Sequence, residues 1–327
     1  MDLTNRTVIK DLFIKYGVRP EKYLGQHFIL SKKALSQMVA AAEIKKNDTI
    51  IEIGPGLGTL TQELATPPHP LKKGGGAKII AIEKDPKMIS ILKETLADYK
   101  NIKIIQADAR QLSILRIDSF GDKMGTIIKK GRYKIVANLP YNIATFLIRQ
   151  WLDPPPSPPN GRIRRASPPE LMVLMIQKEV AQRICPPAPP TGGFGRASAK
   201  SLKLNLLSIS IQFFADAKII GYVPAEAFWP KPKVDSAIIK IVPKIKPPQK
   251  TRGAFFAVVK AGFSQPRKQL IGNLIKKLPP KDEKITKEKL LEIFKKINIP
   301  ERARAENLSL EQWISLAISL HLTTQRK

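Results

Sequence analysis

The stretch "TIIEIGPGLGTLTQEL", Thr49 to Leu64, decides the fold. It opens as a short apolar, β-branched run, passes through Gly54, Gly56 and Gly58, and continues with apolar residues at helical intervals. Such a pattern reads as a strand, a tight turn and a helix. Glycines at that junction let the backbone turn sharply and approach a ligand closely, with helix N–H groups facing it. The spacing Gly-x-Gly-x-Gly departs from the Gly-x-Gly-x-x-Gly of dinucleotide cradles, which disfavours a pyrophosphate site. A purely structural turn is the other reading of the same residues.

Outward from this junction the alternation continues. "KIIAIE" (Lys78 to Glu83) leads to "PKMISILKETLADY", "NIKIIQA" follows, and "KIVAN" (Lys134 to Asn138) opens into "IATFLIRQWL". "LMVLMIQ", "AKIIGYV" and "SAIIKIV" supply three more strands, the last two close enough in sequence to pair antiparallel. Near-continuous Val/Ile runs separated by helices predict a doubly wound, mostly parallel α/β sheet covered on both faces. Ligands bind such sheets beyond the carboxyl ends of the strands. Glu83 closes one strand, where a carboxylate can accept from two vicinal ribose hydroxyls; helix capping is its alternative role. Asp108 follows another, placed to grip an exocyclic adenine amine, with the same alternative. A third strand ends in Asn138-Leu139-Pro140-Tyr141. The Asn138 amide oxygen and a peptide carbonyl at Leu139 or Pro140 can converge on one amino group, and Tyr141 can stack on the base that carries it. This suits methylation of an exocyclic amine and does not suit hydride transfer.

The bulk numbers fit a polyanionic partner. Of 327 residues, 56 are Lys or Arg and 27 Asp or Glu, a formal charge of +29, far beyond what solubility needs. Apolar runs such as Leu171 to Ile176 fall well short of the roughly 20 residues of a spanning helix, and "MDLTNRTVIKDLF" lacks the apolar core of a secretory signal. A cytoplasmic protein with no membrane partner is expected. The single cysteine, Cys185, rules out an internal disulfide and any multi-cysteine zinc site. Three Pro/Gly-rich segments, Thr66 to Lys78, Asp153 to Glu170 and Cys185 to Lys200, read as loops inserted between core elements. A catalytic domain over 1–242, a linker over 243–250 and a basic helical domain over 251–327 are expected. From Lys250 to Lys327 there are 17 basic and 7 acidic side chains.

Asn-Leu-Pro-Tyr, with the glycine loop and strand-end acids before it, resembles motif IV of the adenine-N6 methyltransferases that use S-adenosylmethionine (SAM). "YLGQHFIL" (Tyr23 to Leu30), "VPAEAFWPKPKVDSAIIKI" (Val223 to Ile241), "FSQPRKQLIGNL" (Phe263 to Leu274) and "RARAENLSLEQWISLA" (Arg302 to Ala317) extend the likeness over nearly the whole chain outside the inserts. The sequence is similar to the KsgA-type small-subunit ribosomal RNA adenine dimethyltransferases. That resemblance implies a seven-stranded SAM-dependent methyltransferase sheet with a small C-terminal helical domain. It implies SAM and no metal, and dimethylation of two adjacent adenosines in a hairpin near the 3′ end of 16S rRNA by a monomer, in ribosome biogenesis. The cofactor contacts carried over are Gln26, His27, Ile29, Gly54, Gly56, Gly58, Glu83, Asp108 and Asn138. The catalytic motif carries over to Asn138, Leu139, Pro140 and Tyr141, and Phe228 is implied to stack on the target adenine opposite Tyr141. Arg267 and Lys268 are implied to hold RNA, while Pro266 stands where relatives tend to carry a further basic residue. The region "SLKLNLLSISIQF" is implied to border the target base. Three rivals share parts of this pattern: a large-subunit rRNA methyltransferase of the macrolide-resistance type, a DNA adenine methyltransferase, and a non-catalytic RNA-binding assembly factor.

Overall fold

The structure is a computed structural model that describes residues 1–18, 26–66, 77–110, 133–153, 168–185, 204–244, 249–278 and 286–323. Most of the three Pro/Gly-rich segments, residues 245–248 of the linker and Tyr23 to Gly25 of the N-terminal motif lie outside the described residues. The chain divides into two compact units, one of Met1–Ala181 with Asp216–Pro243 and one of Gln182–Ala215 with Lys244–Lys327.

In the first unit the order is α1 (Arg6–Lys15), β1 (Phe28–Ile29), α2 (Lys32–Ala41), β2 (Thr49–Ile53), α3 (Thr59–Ala65), β3 (Lys78–Glu83), α4 (Pro86–Thr95), β4 (Ile102–Gln106), β5 (Tyr133–Asn138), α5 (Ala144–Leu152) and β6 (Leu171–Gln177). A helix α6 (Lys178–Ile184) follows β6, and a further helix, α7 (Leu206–Phe214), precedes β7 (Ala215–Val223), β8 (Phe228–Trp229) and β9 (Ser236–Pro243). Seven strands form one sheet in the order β4-β3-β2-β5-β6-β9-β7. The four pairings from the β4 edge, β4 to β3, β3 to β2, β2 to β5 and β5 to β6, are parallel, and β9 returns antiparallel to β6. The reversed strand completes a mixed sheet of the doubly wound methyltransferase kind.

The near-continuous apolar strands are buried because helices cover the sheet. Leu35 and Met38 of α2, Ile50 of β2, Ile79 of β3, Val136 of β5 and Val173 and Met175 of β6 share one core cluster. A charged residue interrupts this apolar set at Lys134, which is 3 % exposed. Its ammonium pairs with Asp48 at 2.9 Å and donates to the Ala42 carbonyl at 3.0 Å, so the buried charge is compensated. Helix starts follow local chemistry: Asn5, Ser31 and Asp85 each accept an early backbone N–H of α1, α2 and α4, and Pro86 sits in the first turn of α4. The short ribbon of β1 and β8 is antiparallel, with Phe28 opposite Trp229 and Ile29 opposite Phe228.

The second unit combines α7 with α8 (Gln249–Gly262), α9 (Leu270–Lys277), α10 (Lys287–Lys296) and α11 (Leu310–Thr323). Segment 182–215, which includes "SLKLNLLSISIQF", thus groups with the C-terminal helices. Phe213 of α7 stacks on Phe255 of α8 at 4.0 Å between centroids. A side-chain carbon added at Gly262 would lie 2.4 Å from the Trp313 ring, so only glycine allows α8 and α11 this approach. The buried Asn273 of α9 donates through Nδ2 to the carbonyls of Gly262 at 2.7 Å and Gln265 at 2.9 Å. It thereby ties down the exposed loop Ser264 to Gln269 between α8 and α9.

Candidate cofactor and catalytic site

The carboxyl ends of β4, β3, β2 and β5 lie side by side, and a cavity of about 440 Å³ opens beyond them, within the usual range for small-ligand sites. Backbone bonds carry the register past the last strand residues: Gly54 N–H donates to Ile82 O at 2.9 Å, Ala107 N–H to Glu83 O at 2.8 Å and Leu139 N–H to Met175 O at 3.1 Å. The turns that start there are therefore placed by the sheet.

Gly54 and Gly56 line the cavity with φ of +65° and +59°, a left-handed conformation that glycine adopts without cost. A Cβ on Gly56 would stand 3.2 Å from the Phe28 ring. Gly58, expected in the same cradle, does not line the cavity. It is the N-cap of α3 at φ +90°, and a Cβ there would meet Leu96 and Leu92 at 3.1 and 3.2 Å; its lack of a side chain serves the packing of α3 against α4.

Glu83 stands at the end of β3 with its carboxylate in the cavity wall. It accepts from the N–H groups of Lys84 at 2.7 Å, Asp85 at 2.9 Å and Gly56 at 3.4 Å. Burial pushes its proton affinity up and the three amides oppose that. A carboxylate held this way keeps lone pairs for a ligand's hydroxyls. Asp108 also lines the cavity, gripped by Arg110 through Nη2 at 2.6 Å and Nε at 3.1 Å, with Lys84 at 3.4 Å. The Arg110 guanidinium holds its carboxyl well below the usual range. The sequence did not announce this partner.

At the end of β5, Asn138 donates its Nδ2 to the His27 carbonyl at 3.3 Å, which turns the amide oxygen to the acceptor role. The Pro140 carbonyl receives the Ile143 N–H at 3.1 Å and so closes the turn. Leu139 is the member of the pair whose carbonyl is not spent on that turn. Tyr141 is half-buried, its hydroxyl 2.7 Å from Ser236 Oγ, and burial raises its pKa. The His27 ring stacks on Tyr141 at 5.9 Å and 30°, and its Nδ1 lies 2.7 Å from the Pro230 carbonyl. Gln26, His27 and Ile29 line the same cavity.

Phe228 is placed differently from its expected position. It is 3 % exposed, lies opposite Ile29 in the β1–β8 ribbon and belongs to the core cluster of α2 and the sheet. It is not part of the cavity wall, because the antiparallel ribbon turns its side chain inward. The "FWPKPKVDS" segment serves the site instead through the Pro230 carbonyl and Ser236. Arg267 and Lys268 lie exposed on the loop of the second unit. Among the cavity residues that went unnoticed in the sequence is Glu52, 1 % exposed in β2. Its signal was present, a lone acid inside the otherwise apolar "TIIEI".

The acids Glu52, Glu83 and Asp108, the ribose-capable carboxylate of Glu83 and the glycine cradle fit a cationic nucleoside such as SAM. A family model described as "Ribosomal RNA adenine dimethylase" matches residues 18–321. The chain is 36 % identical over 311 residues to "Ribosomal RNA small subunit methyltransferase A" of Dehalococcoides mccartyi strain 195, covering 94 % of this chain and 91 % of that one. A Geobacillus protein of the same name is 34 % identical over 313 residues, covering 95 % of each. Among solved structures, 23S rRNA methyltransferase ErmE superposes with a TM-score of 0.63 at 20 % identity, over 90 % of this chain and 99 % of that one. A dimethyladenosine transferase from Plasmodium falciparum gives 0.61 at 24 %, over 90 % and 97 %. These last two likenesses bear on the fold. The chain belongs to the ribosomal RNA adenine dimethylase family, whose members are SAM-dependent methyltransferases.

Proposed function

We propose that this chain dimethylates the N6 amino groups of two adjacent adenosines in a hairpin near the 3′ end of small-subunit rRNA, acting in the cytoplasm on the small ribosomal subunit or its precursor. The observation that carries the reading is the orientation of Asn138. Its nitrogen is committed to His27, so its oxygen and the Leu139 carbonyl are the two acceptors left to face an amine.

SAM, when bound, supplies an electrophilic methyl group on a sulfonium. Glu83 would hold its ribose, Gly54 and Gly56 let it approach the β2–α3 turn, and Asp108 with its Arg110 closes the adenine end. The adenine amine is a poor nucleophile because its lone pair is delocalised into the ring. Asn138 and Leu139 accept its two N–H protons as hydrogen bonds and favour a more tetrahedral nitrogen, while positioning supplies much of the remaining rate. Tyr141, held by Ser236 and backed by His27, offers the face on which an extruded base stacks. No strong base is required, since the alkylated nitrogen sheds its proton readily.

The small-subunit assignment is supported by the names of the curated relatives, matched along almost their whole length. The decisive experiment incubates the protein and labelled SAM with unmethylated small subunits, and in parallel with large subunits and with DNA, then maps the modified bases by primer extension. Label on two adjacent adenines near the 3′ end is expected. Label on large-subunit RNA or on DNA instead refutes the assignment, and SAM binding without any transfer points to a non-catalytic factor.

A further inference from the structure

Glu52 is a charged-type cavity residue to which the reading above gives no role of its own. It sits on β2 two residues before Gly54, in a strand otherwise made of Thr and Ile. It is 1 % exposed, lines the cavity, and its Oε2 has no hydrogen-bond partner among the described residues. The Thr61 hydroxyl of α3 lies beside it, 0 % exposed and equally without a partner of hydrogen-bonding geometry. A carboxylate cannot stay charged in such a place without compensation, because desolvation of the ion costs far more than a neutral acid pays.

Among the described residues, the charges around it do not compensate. Glu83, on the neighbouring β3, is of like sign and adds to the cost. Lys84 and Arg110 are engaged with Asp108, and Asp85 caps α4. His27 is tied to the Pro230 carbonyl. What the cavity is read as receiving, however, is a cation. SAM carries a sulfonium and an α-ammonium against one carboxylate.

We infer that Glu52 is a proton-linked cofactor residue: it holds a proton in the empty cavity and releases it to solvent when the cationic cofactor binds. The inference rests on the cavity being the SAM site. The balance is simple, since the O–H bond of Glu52 breaks, the proton goes to buffer, and the carboxylate left behind faces the bound cation. Burial pushes the Glu52 carboxyl up to about 8, so release is substantial at neutral pH and vanishes where the acid is already ionised.

The test is calorimetric titration of the full chain with SAM in two buffers of different ionisation enthalpy, at pH 7 and at pH 9.5, with the wild type, Glu52→Gln and Glu83→Ala. The cofactor's own α-amino group titrates near pH 8, so the quantity read is the wild-type release minus that of Glu52→Gln. At pH 7 this difference is expected to approach about one proton per SAM bound, and at pH 9.5 to fall close to zero. Equal proton counts in wild type and Glu52→Gln, with SAM affinity that Glu83→Ala still weakens, overturn the inference and leave the cavity reading intact. SAM affinity untouched by Glu83→Ala overturns both. Should Glu52→Gln not fold, the Glu52 carboxyl carbon is followed by NMR in labelled wild type. Titration near pH 8 without SAM that moves down by at least one unit with SAM supports the inference; a midpoint that SAM does not move overturns it.

Discussion

At Asn138 the amide is oriented before any substrate arrives, by donation of Nδ2 to the His27 carbonyl. Asn138→Ala removes the acceptor for the amine while leaving Glu83, Asp108 and the glycine turn in place. Its turnover is expected to fall by about 10²- to 10³-fold, the usual loss for one preorganised polar group, with SAM affinity changed only a few-fold. Unchanged turnover in a labelled-SAM assay removes Asn138 from the role given it. Glu83→Ala should do the reverse, weakening SAM binding by roughly tenfold or more, since charge-assisted bonds contribute about 1.5–3 kcal/mol, with rRNA affinity unaltered. Glu52 has a separate signature in stability. An ordinary glutamate titrates at 4.5, whereas burial raises Glu52 to about 8. Between those values the folded chain holds a proton that the unfolded chain has lost, so this residue makes stability fall as pH rises through the window. Glu52→Gln abolishes that slope. In urea unfolding the variant should gain on wild type from pH 5 to pH 9 by several kcal/mol, at most about 5; parallel profiles exclude a raised acid.

The elements show what a sequence can and cannot disclose. Strands β2, β3, β5 and β6 were legible because parallel strands buried on both faces are apolar throughout, and helices α3, α4 and α5 because each begins at a glycine turn, an Asp-Pro cap or a strand end. That Glu83, Asp108 and Asn138 line the cavity was legible for the same reason, as polar residues at the ends of apolar runs. Gly58 and Phe228 were read with the site although packing explains them: Gly58 is crowded by leucines of a helix some thirty residues further along, and Phe228 is turned inward by a ribbon with β1. A two-residue strand has no periodicity, so the β1–β8 ribbon leaves no trace in local pattern. Asn273 is the same kind of case. The motif around it was recognised, yet nothing local says that its amide reaches back to Gly262 and Gln265. Asn273→Ala leaves both carbonyls short of a donor and should destabilise the second unit by about 1–3 kcal/mol, measured by urea unfolding. Because the freed loop carries Arg267 and Lys268, rRNA affinity should drop as well, with SAM affinity unchanged. A variant with wild-type stability and RNA binding rules out the tether.

On the scale of the whole molecule the dominant quantity is a formal charge of +29 on 327 residues. A charge that large speaks to association with a polyanion, since each phosphate neutralised by a Lys or Arg releases condensed counterions and steepens the salt dependence of binding. It does not select a sequence. In the proposed reading, selection is left to the amine clasp at Asn138 and to the shape of the folded RNA. The two contributions are therefore separable by experiment. Plotting the logarithm of rRNA affinity against the logarithm of salt concentration should give a steep line. The double variant Arg267→Ala/Lys268→Ala should lower its slope by about 1.4–1.8, the loss of two phosphate contacts at roughly 0.7–0.9 each. Asn138→Ala should leave the slope alone, because an amide that holds one base neutralises no phosphate. If the double variant keeps the wild-type slope, the exposed α8–α9 loop makes no phosphate contact and the basic surface that meets RNA lies elsewhere on the chain. If Asn138→Ala flattens the line, the base-holding pocket and the phosphate-holding surface are not independent, and the division of labour drawn between them fails.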